Sequence, residues 1–272
     1  MKFTDFGLND ALLDALYYMN FEDATEIQDK AIPLILEGRD VIGCAQTGTG
    51  KTAAFVLPIL NHISESAVGG VQTLILCPTR ELAIQIDHQI QGLAYFAQAT
   101  CHAVYGGGDG VAWDQEAVAL KGGADIIIAT PGRLLSHMEQ GNVDFSEVKH
   151  LILDEADRMM DFGFMPQLRK LLEILPNKRQ NLLFSATYPP KTEEMAGEFL
   201  LWPTRVEAAP QSTPVETIVQ SAYRAPNFGT KLNLLVSLLS GDDAPEQALI
   251  FVREKDQAER IGQAIHDGVS WS

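Results

Sequence analysis

Eight residues constrain this chain more than any others: Ala45-Gln46-Thr47-Gly48-Thr49-Gly50-Lys51-Thr52. They spell a phosphate-cradling P-loop, with Ala in place of its first Gly. Val41 and Ile42, flanked by Asp40 and Gly43, read as a short buried strand before the loop. Thr52-Ala53-Ala54-Phe55-Val56-Leu57 opens a helix after it. Gly48 and Gly50 reach backbone conformations other residues avoid, so successive N–H groups can curl into an anion-binding nest. The helix N-terminus adds partial positive charge. Lys51 is then suited to the β- and γ-phosphates of a nucleoside triphosphate, and the Thr52 hydroxyl to Mg²⁺. A Gly/Thr-rich turn that merely joins strand to helix would not need the Gly-Lys-Thr sequence between them.

About a hundred residues on, the apolar run Leu151-Ile152-Leu153 ends in Asp154-Glu155-Ala156-Asp157. A carboxylate at the C-terminal end of a strand lies where open α/β sheets bind ligands. Asp154 is suited to hold Mg²⁺, in part through water, and Glu155 to orient or deprotonate the attacking water. Acidic residues also favour a helix's first turn, but the loop upstream gives this pair a partner.

With 272 residues, 46% hydrophobic and 21% charged, the chain has globular composition and room for one full α/β domain and part of another. No apolar run approaches the ~20 residues of a membrane span. Met1-Lys2-Phe3-Thr4-Asp5 does not open a signal peptide. Cys44, Cys77 and Cys101 lack metal-ligand spacing and read as reduced thiols of a cytoplasmic protein. The net charge of −16 repels phosphates at long range, so any nucleic-acid binding must be local or use a segment outside this chain.

Helical spacing marks residues 3–20 and 25–36. Strands are expected at 41–44, 73–77, 101–104, 125–129, 150–153 and 181–184. Helices fall between them at 52–65, 80–96, 111–121, 132–138 and 164–174. This alternation predicts α/β architecture with a parallel sheet covered on both faces. Pro203, Pro210 and Pro214 mark 203–216 as a linker. A second unit follows, with strands at 217–223 and 247–252 and helices at 228–240 and 254–266.

The ordered motifs resemble those of bacterial DEAD-box ATP-dependent RNA helicases, over the whole chain. Asn20-Phe21-Glu22-Asp23-Ala24-Thr25-Glu26-Ile27-Gln28 is similar to that family's Q motif, with Ala24 where proline is usual, and Phe3 matches the isolated aromatic upstream. Ala45–Thr52 matches motif I, Pro78-Thr79-Arg80-Glu81-Leu82-Ala83 motif Ia and Gly106-Gly107 the glycine doublet. Thr130-Pro131-Gly132-Arg133 matches motif Ib, Asp154–Asp157 the family signature and Ser185-Ala186-Thr187 motif III. Leu249-Ile250-Phe251-Val252 looks like the start of motif IV in a second domain.

The resemblance implies a three-layer RecA-like P-loop domain over 1–208, a linker over 209–216, and the start of a second RecA-like domain over 217–272. It implies ATP and Mg²⁺ as cofactors, with Lys51, Asp154 and Glu155 catalytic and Thr52 with Asp154 at the metal. Phe3, Phe21, Gln28 and Ala45 through Thr52 (Gln46, Thr47, Gly48, Thr49, Gly50 and Lys51 between them) would bind ATP. A Gln amide pairs bidentately with adenine N6 and N7, and a Phe ring offers a stacking face. Taken alone, Gln28 also reads as a surface helix residue and Phe21 as a hydrophobic staple. Arg80, Gly107, Thr130 and Arg133 would contact RNA, chiefly its backbone, although Thr130 before Pro131 is also a good N-cap. Asp157, Ser185 and Thr187 would couple nucleotide state to RNA.

In the family, ATP and RNA bind across two such domains and close them; hydrolysis resets the open state. The sequence contains no motif V and no arginine-rich motif VI, so the expectation is an RNA helicase fragment, monomeric, that binds nucleotide and hydrolyses it weakly. A DNA helicase on the same fold and a nucleotide-switched RNA clamp without catalysis compete with this reading. The intact Lys51, Thr52, Asp154 and Glu155 weigh against the clamp.

Overall fold

The computed structural model describes residues 1–66, 68–107, 110–208, 219, 221–240 and 244–268, with backbone alone at 267 and 268. The chain divides into two compact units, Met1–Ser212 and Thr213–Ser272.

In the first unit, β1 (Val41–Cys44), β2 (Thr73–Leu76), β3 (Cys101–Val104), β4 (Ile126–Ala129), β5 (His150–Leu153), β6 (Gln180–Ser185) and β7 (Thr204–Glu207) form one sheet in the order β3-β4-β2-β5-β6-β1-β7. Every pairing is parallel. The central strands are buried along their whole length because helices cover both faces. Side chains alternate between two cores. Ile75, Ile128, Ile152, Leu182 and Phe184 pack under α1 (Asp10–Tyr18), α2 (Glu26–Leu36), α3 (Lys51–Ser64) and α4 (Arg80–Ala97). Leu74, Ile127, Leu151, Leu153 and Leu183 face α6 (Pro131–Glu139), α7 (Ala156–Asp161), α8 (Met165–Ile174) and α9 (Pro190–Phe199). α5 (Gly110–Val118) runs into a π-type turn at Ala119–Gly123.

The expected 3–20 helix is broken. A 3₁₀ turn covers Phe3–Phe6, Gly7 takes φ +74°, and Asn9 caps α1 by accepting from Leu12 N–H at 3.0 Å. Strand β7 falls within the linker expected at 203–216. Thr-Arg-Val-Glu buries a single side chain, Val206, beside Pro203, and nothing local separates such an edge strand from a turn. Tertiary partners decide it: β1 supplies the ladder, and Asp40 at its foot accepts from Asn181 N–H at 2.8 Å and Leu201 N–H at 2.7 Å.

The second unit contains α10 (Phe228–Ser240) and α11 (Lys255–Gly268), with the Arg260 guanidinium 4.4 Å from the Phe228 ring centroid. The strands expected at 217–223 and 247–252 do not form among the described residues; all of 209–218, and 220, lie outside them. Extended backbone becomes a strand only beside a ladder partner, and Leu249 and Phe251 stay exposed. Among the described residues, no helix is long and apolar enough to cross a membrane.

Candidate functional site

The P-loop leaves β1 and the acidic motif leaves β5, with β6 between them, so both open on the same C-terminal edge of the sheet. The ladders run on into the site: Ala45 N–H donates to Ser185 O at 3.0 Å and Asp154 N–H to Leu76 O at 2.9 Å. One pocket is lined by Thr47, Gly48, Gly50, Lys51, Thr52, Asp154 and Glu155, with Gln85 and Gln89 from α4. Sequence reasoning missed both glutamines. Their i,i+4 spacing puts them on one helix face, but nothing in the spacing says that this face looks onto the loop.

Lys51 is buried, and its Nζ donates to the Ala45 carbonyl at 2.7 Å, across the loop it serves. Asp154 is 2% exposed. Burial pushes its carboxyl up to about 6, against the pull of the Lys51 ammonium. Its Oδ1 accepts from Glu155 N–H at 2.9 Å, while Oδ2 has no hydrogen-bond partner among the described residues. A hydroxyl on Thr52 and a free carboxylate oxygen on Asp154 in one pocket are hard oxygen donors, the kind Mg²⁺ takes. Glu155 sits in the left-handed region at φ +51°, ψ +49°, and its Oε2 accepts from Arg158 Nη1 at 3.0 Å.

Gln28 is 1% exposed. Its Oε1 accepts from Thr25 N–H at 2.9 Å, and its Nε2 donates to the Gly50 carbonyl at 3.1 Å. The amide thus staples α2 to the P-loop. Gly50 has φ +88°, and a Cβ there would collide with Gln28 Nε2. Phe21 is half-buried; Phe3 is buried behind it, edge-on at 6.2 Å. Phe3 therefore buttresses Phe21, and the two line one pocket.

Asp157, Ser185 and Thr187 meet at the end of β6. Asp157 Oδ2 accepts from Thr187 N–H at 2.9 Å and from its hydroxyl at 2.7 Å, and Asp157 N–H donates to Ser185 Oγ at 3.1 Å. Burial would raise the Asp157 carboxyl; the hydrogen bonds from Thr187 and Ser185 outweigh it and hold the group below the usual carboxylate range.

Arg80 is exposed over the Tyr105 ring at 5.2 Å. Gly107, φ +94°, lies beside it: a Cβ there would come within 3.1 Å of Arg80 Nη1. Thr130 precedes Pro131 at the start of α6 without a side-chain cap bond. Arg133 departs from expectation. Its Nε donates to Glu116 Oε2 at 2.7 Å, and its guanidinium lies 4.3 Å from the Trp113 ring centroid. The Nε of this guanidinium is thus engaged by a buried carboxylate. His137 shares that carboxylate at 2.8 Å.

A strand–P-loop–helix, a strand-end Asp-Glu and an Asp-hydroxyl link on a parallel sheet define a P-loop nucleotide-binding domain. The DEAD/DEAH box helicase family matches residues 25–196, and the chain belongs to it. It is 39% identical over 264 residues to the ATP-dependent RNA helicase CshA of Listeria monocytogenes, covering 97% of this chain and 50% of that protein. It is 37% identical over 268 residues to the ATP-dependent RNA helicase RhlB of Shewanella piezotolerans, covering 96% and 60%. The chain thus spans about half the length of the curated relatives it matches. The crystal structure of a hypothetical ATP-dependent RNA helicase from Sulfolobus tokodaii superposes with a TM-score of 0.67 at 34% identity, over 74% of this chain and 57% of that one.

Proposed function

We propose that this chain is the ATP-gripping part of an ATP-dependent RNA helicase, and that alone it holds nucleotide and RNA but hydrolyses ATP slowly. One observation carries the reading: Lys51, Thr52, Asp154 and Glu155 line a single pocket at the sheet's C-terminal edge. The chemistry Mg²⁺ would supply there is neutralisation of phosphate charge. Thr52 and Asp154 would carry the ion, Lys51 the phosphates and Glu155 the water. Gln28 would read adenine with the N–H and lone pair its present bonds leave free, and Phe21 would stack on the base. Arg80, Gly107 and the α6 N-terminus at Thr130 would meet the RNA backbone. The protein would act as a monomer in the cytoplasm; the three free thiols, all pushed up by burial, suit a reducing compartment.

Slow turnover is supported by the resting contacts. Lys51 is bonded to Ala45 and Glu155 to Arg158, so both must let go before chemistry. ATPase assays with and without RNA, on this chain and on one of the longer relatives, check this; equal RNA-stimulated rates would refute it. Glu155→Gln tests the catalytic role. In ATP it should retain RNA that the wild type releases, whereas equal release would point to a passive clamp.

A further inference from the structure

We propose that Glu116 is a positioning residue for RNA, assembling the phosphate-facing segments around one buried carboxylate; the inference rests on the RNA reading above. Glu116 is 3% exposed and lies on α5, outside every motif. Its two oxygens serve three donors. Oε1 accepts from Tyr105 N–H at 3.2 Å; Oε2 accepts from Arg133 Nε at 2.7 Å and contacts His137 Nε2 at 2.8 Å.

Those donors belong to two of the three segments that bear the candidate RNA contacts, and one of them touches the third. Tyr105 carries Arg80 on its ring and leads directly into Gly106-Gly107. Arg133 and His137, one turn apart, carry the first turns of α6, which starts from Thr130. Trp113, one turn before Glu116 on α5, stacks on His137 at 3.6 Å and on the Arg133 guanidinium. The carboxylate therefore sets the spacing between the Gly107 loop and the α6 N-terminus, where backbone N–H groups can meet consecutive phosphates.

Stability alone is a weak reason for this cluster. A buried ion pair can often be replaced by packed apolar side chains at no loss, and its best-attested use is to fix one arrangement. Arg133 Nη2 is buried without a partner, which a device optimised for stability would avoid. On a chain of net charge −16, RNA attraction must come from accurate local geometry rather than from the field.

The test is Glu116→Gln, a nearly isosteric change that removes the charge and leaves one donor facing a donor. A short fluorescent single-stranded RNA is titrated by anisotropy with Mg²⁺ and a non-hydrolysable ATP analogue at several salt concentrations, with the affinity for the analogue measured in parallel. RNA affinity should fall about tenfold and the salt slope flatten by about 0.7, one phosphate contact on a single strand. Nucleotide affinity should stay within about twofold. Unchanged RNA affinity would mean a purely structural cluster. Tighter RNA binding with a steeper slope would mean that Glu116 merely withholds Arg133. Either result overturns the proposal. If Glu116→Gln does not fold, His137→Asn removes one strut, because its amide cannot reach Glu116; RNA affinity should drop about threefold, and no drop overturns the proposal. A wild-type chain that takes no RNA refutes the RNA reading and this inference with it, which the wild-type titration alone reveals.

Discussion

Asp154 illustrates the conflict a single residue absorbs at such a site. A carboxyl pushed up to about 6, against 3.8 when free, holds a proton in the folded state that the unfolded chain releases. Stability therefore falls as pH rises from about 4 to 6, and above that the native state carries the full cost of a buried charge, on the order of 3 kcal/mol. Asp154→Asn should melt higher than wild type at pH 7.5 without nucleotide, and the gain should vanish towards pH 4. The same variant should lose the Mg²⁺-dependent part of stabilisation by ATP. Thermal melts at the two pH values, with and without Mg²⁺-ATP, read both effects; a lower melting temperature at pH 7.5 would contradict the first. Glu155, left-handed and tied to Arg158, stores strain of the same functional kind.

Between elements, single polar side chains do the fastening. Gln28 joins α2 to the P-loop through Gly50, and Asp40 joins the foot of β1 to β6 and to the segment entering β7. Gly50→Ala puts a Cβ into a left-handed position and against the Gln28 amide. It should weaken ATP binding at least tenfold while costing about 1–2 kcal/mol of stability. Calorimetric titration beside denaturant unfolding separates the two; unaltered ATP affinity would remove Gly50 from the site. Asp40→Ala strands the Asn181 and Leu201 N–H groups and should cost about 2–3 kcal/mol in urea unfolding without touching ATP affinity.

At the scale of the whole molecule, the base of the first unit holds an acid-sensitive point at the opposite end of β5 from Asp154. His150 stacks on His62 at 5.4 Å, and burial lowers its pKa from 6.5 to about 3. The unfolded chain binds that proton and the native one does not, so stability drops as pH falls below 6.5, by about 1.4 kcal/mol per pH unit until about 3. His150→Gln should flatten that acid slope in urea unfolding from pH 6.5 to 4; an unchanged slope would assign it to other groups. Much of the first unit was legible beforehand. Apolar runs ending in Gly-Lys-Thr or Asp-Glu announce parallel strands and a phosphate site, because backbone sterics and charge at strand ends act locally. The two faces of Ile75 and Leu74 follow from strand geometry alone. Edge strand β7, the inward turn of Arg133 and the Gln85–Gln89 lining did not show, since each depends on a neighbour distant in sequence: β1, Glu116 and the P-loop. The sequence by itself determined which residues carry phosphate-loop and strand-end carboxylate chemistry, the candidates for ATP and Mg²⁺. Only the tertiary structure decided which of these residues are free to bind, because a hydrogen-bonding group already satisfied by a distant partner looks the same in sequence as one left open.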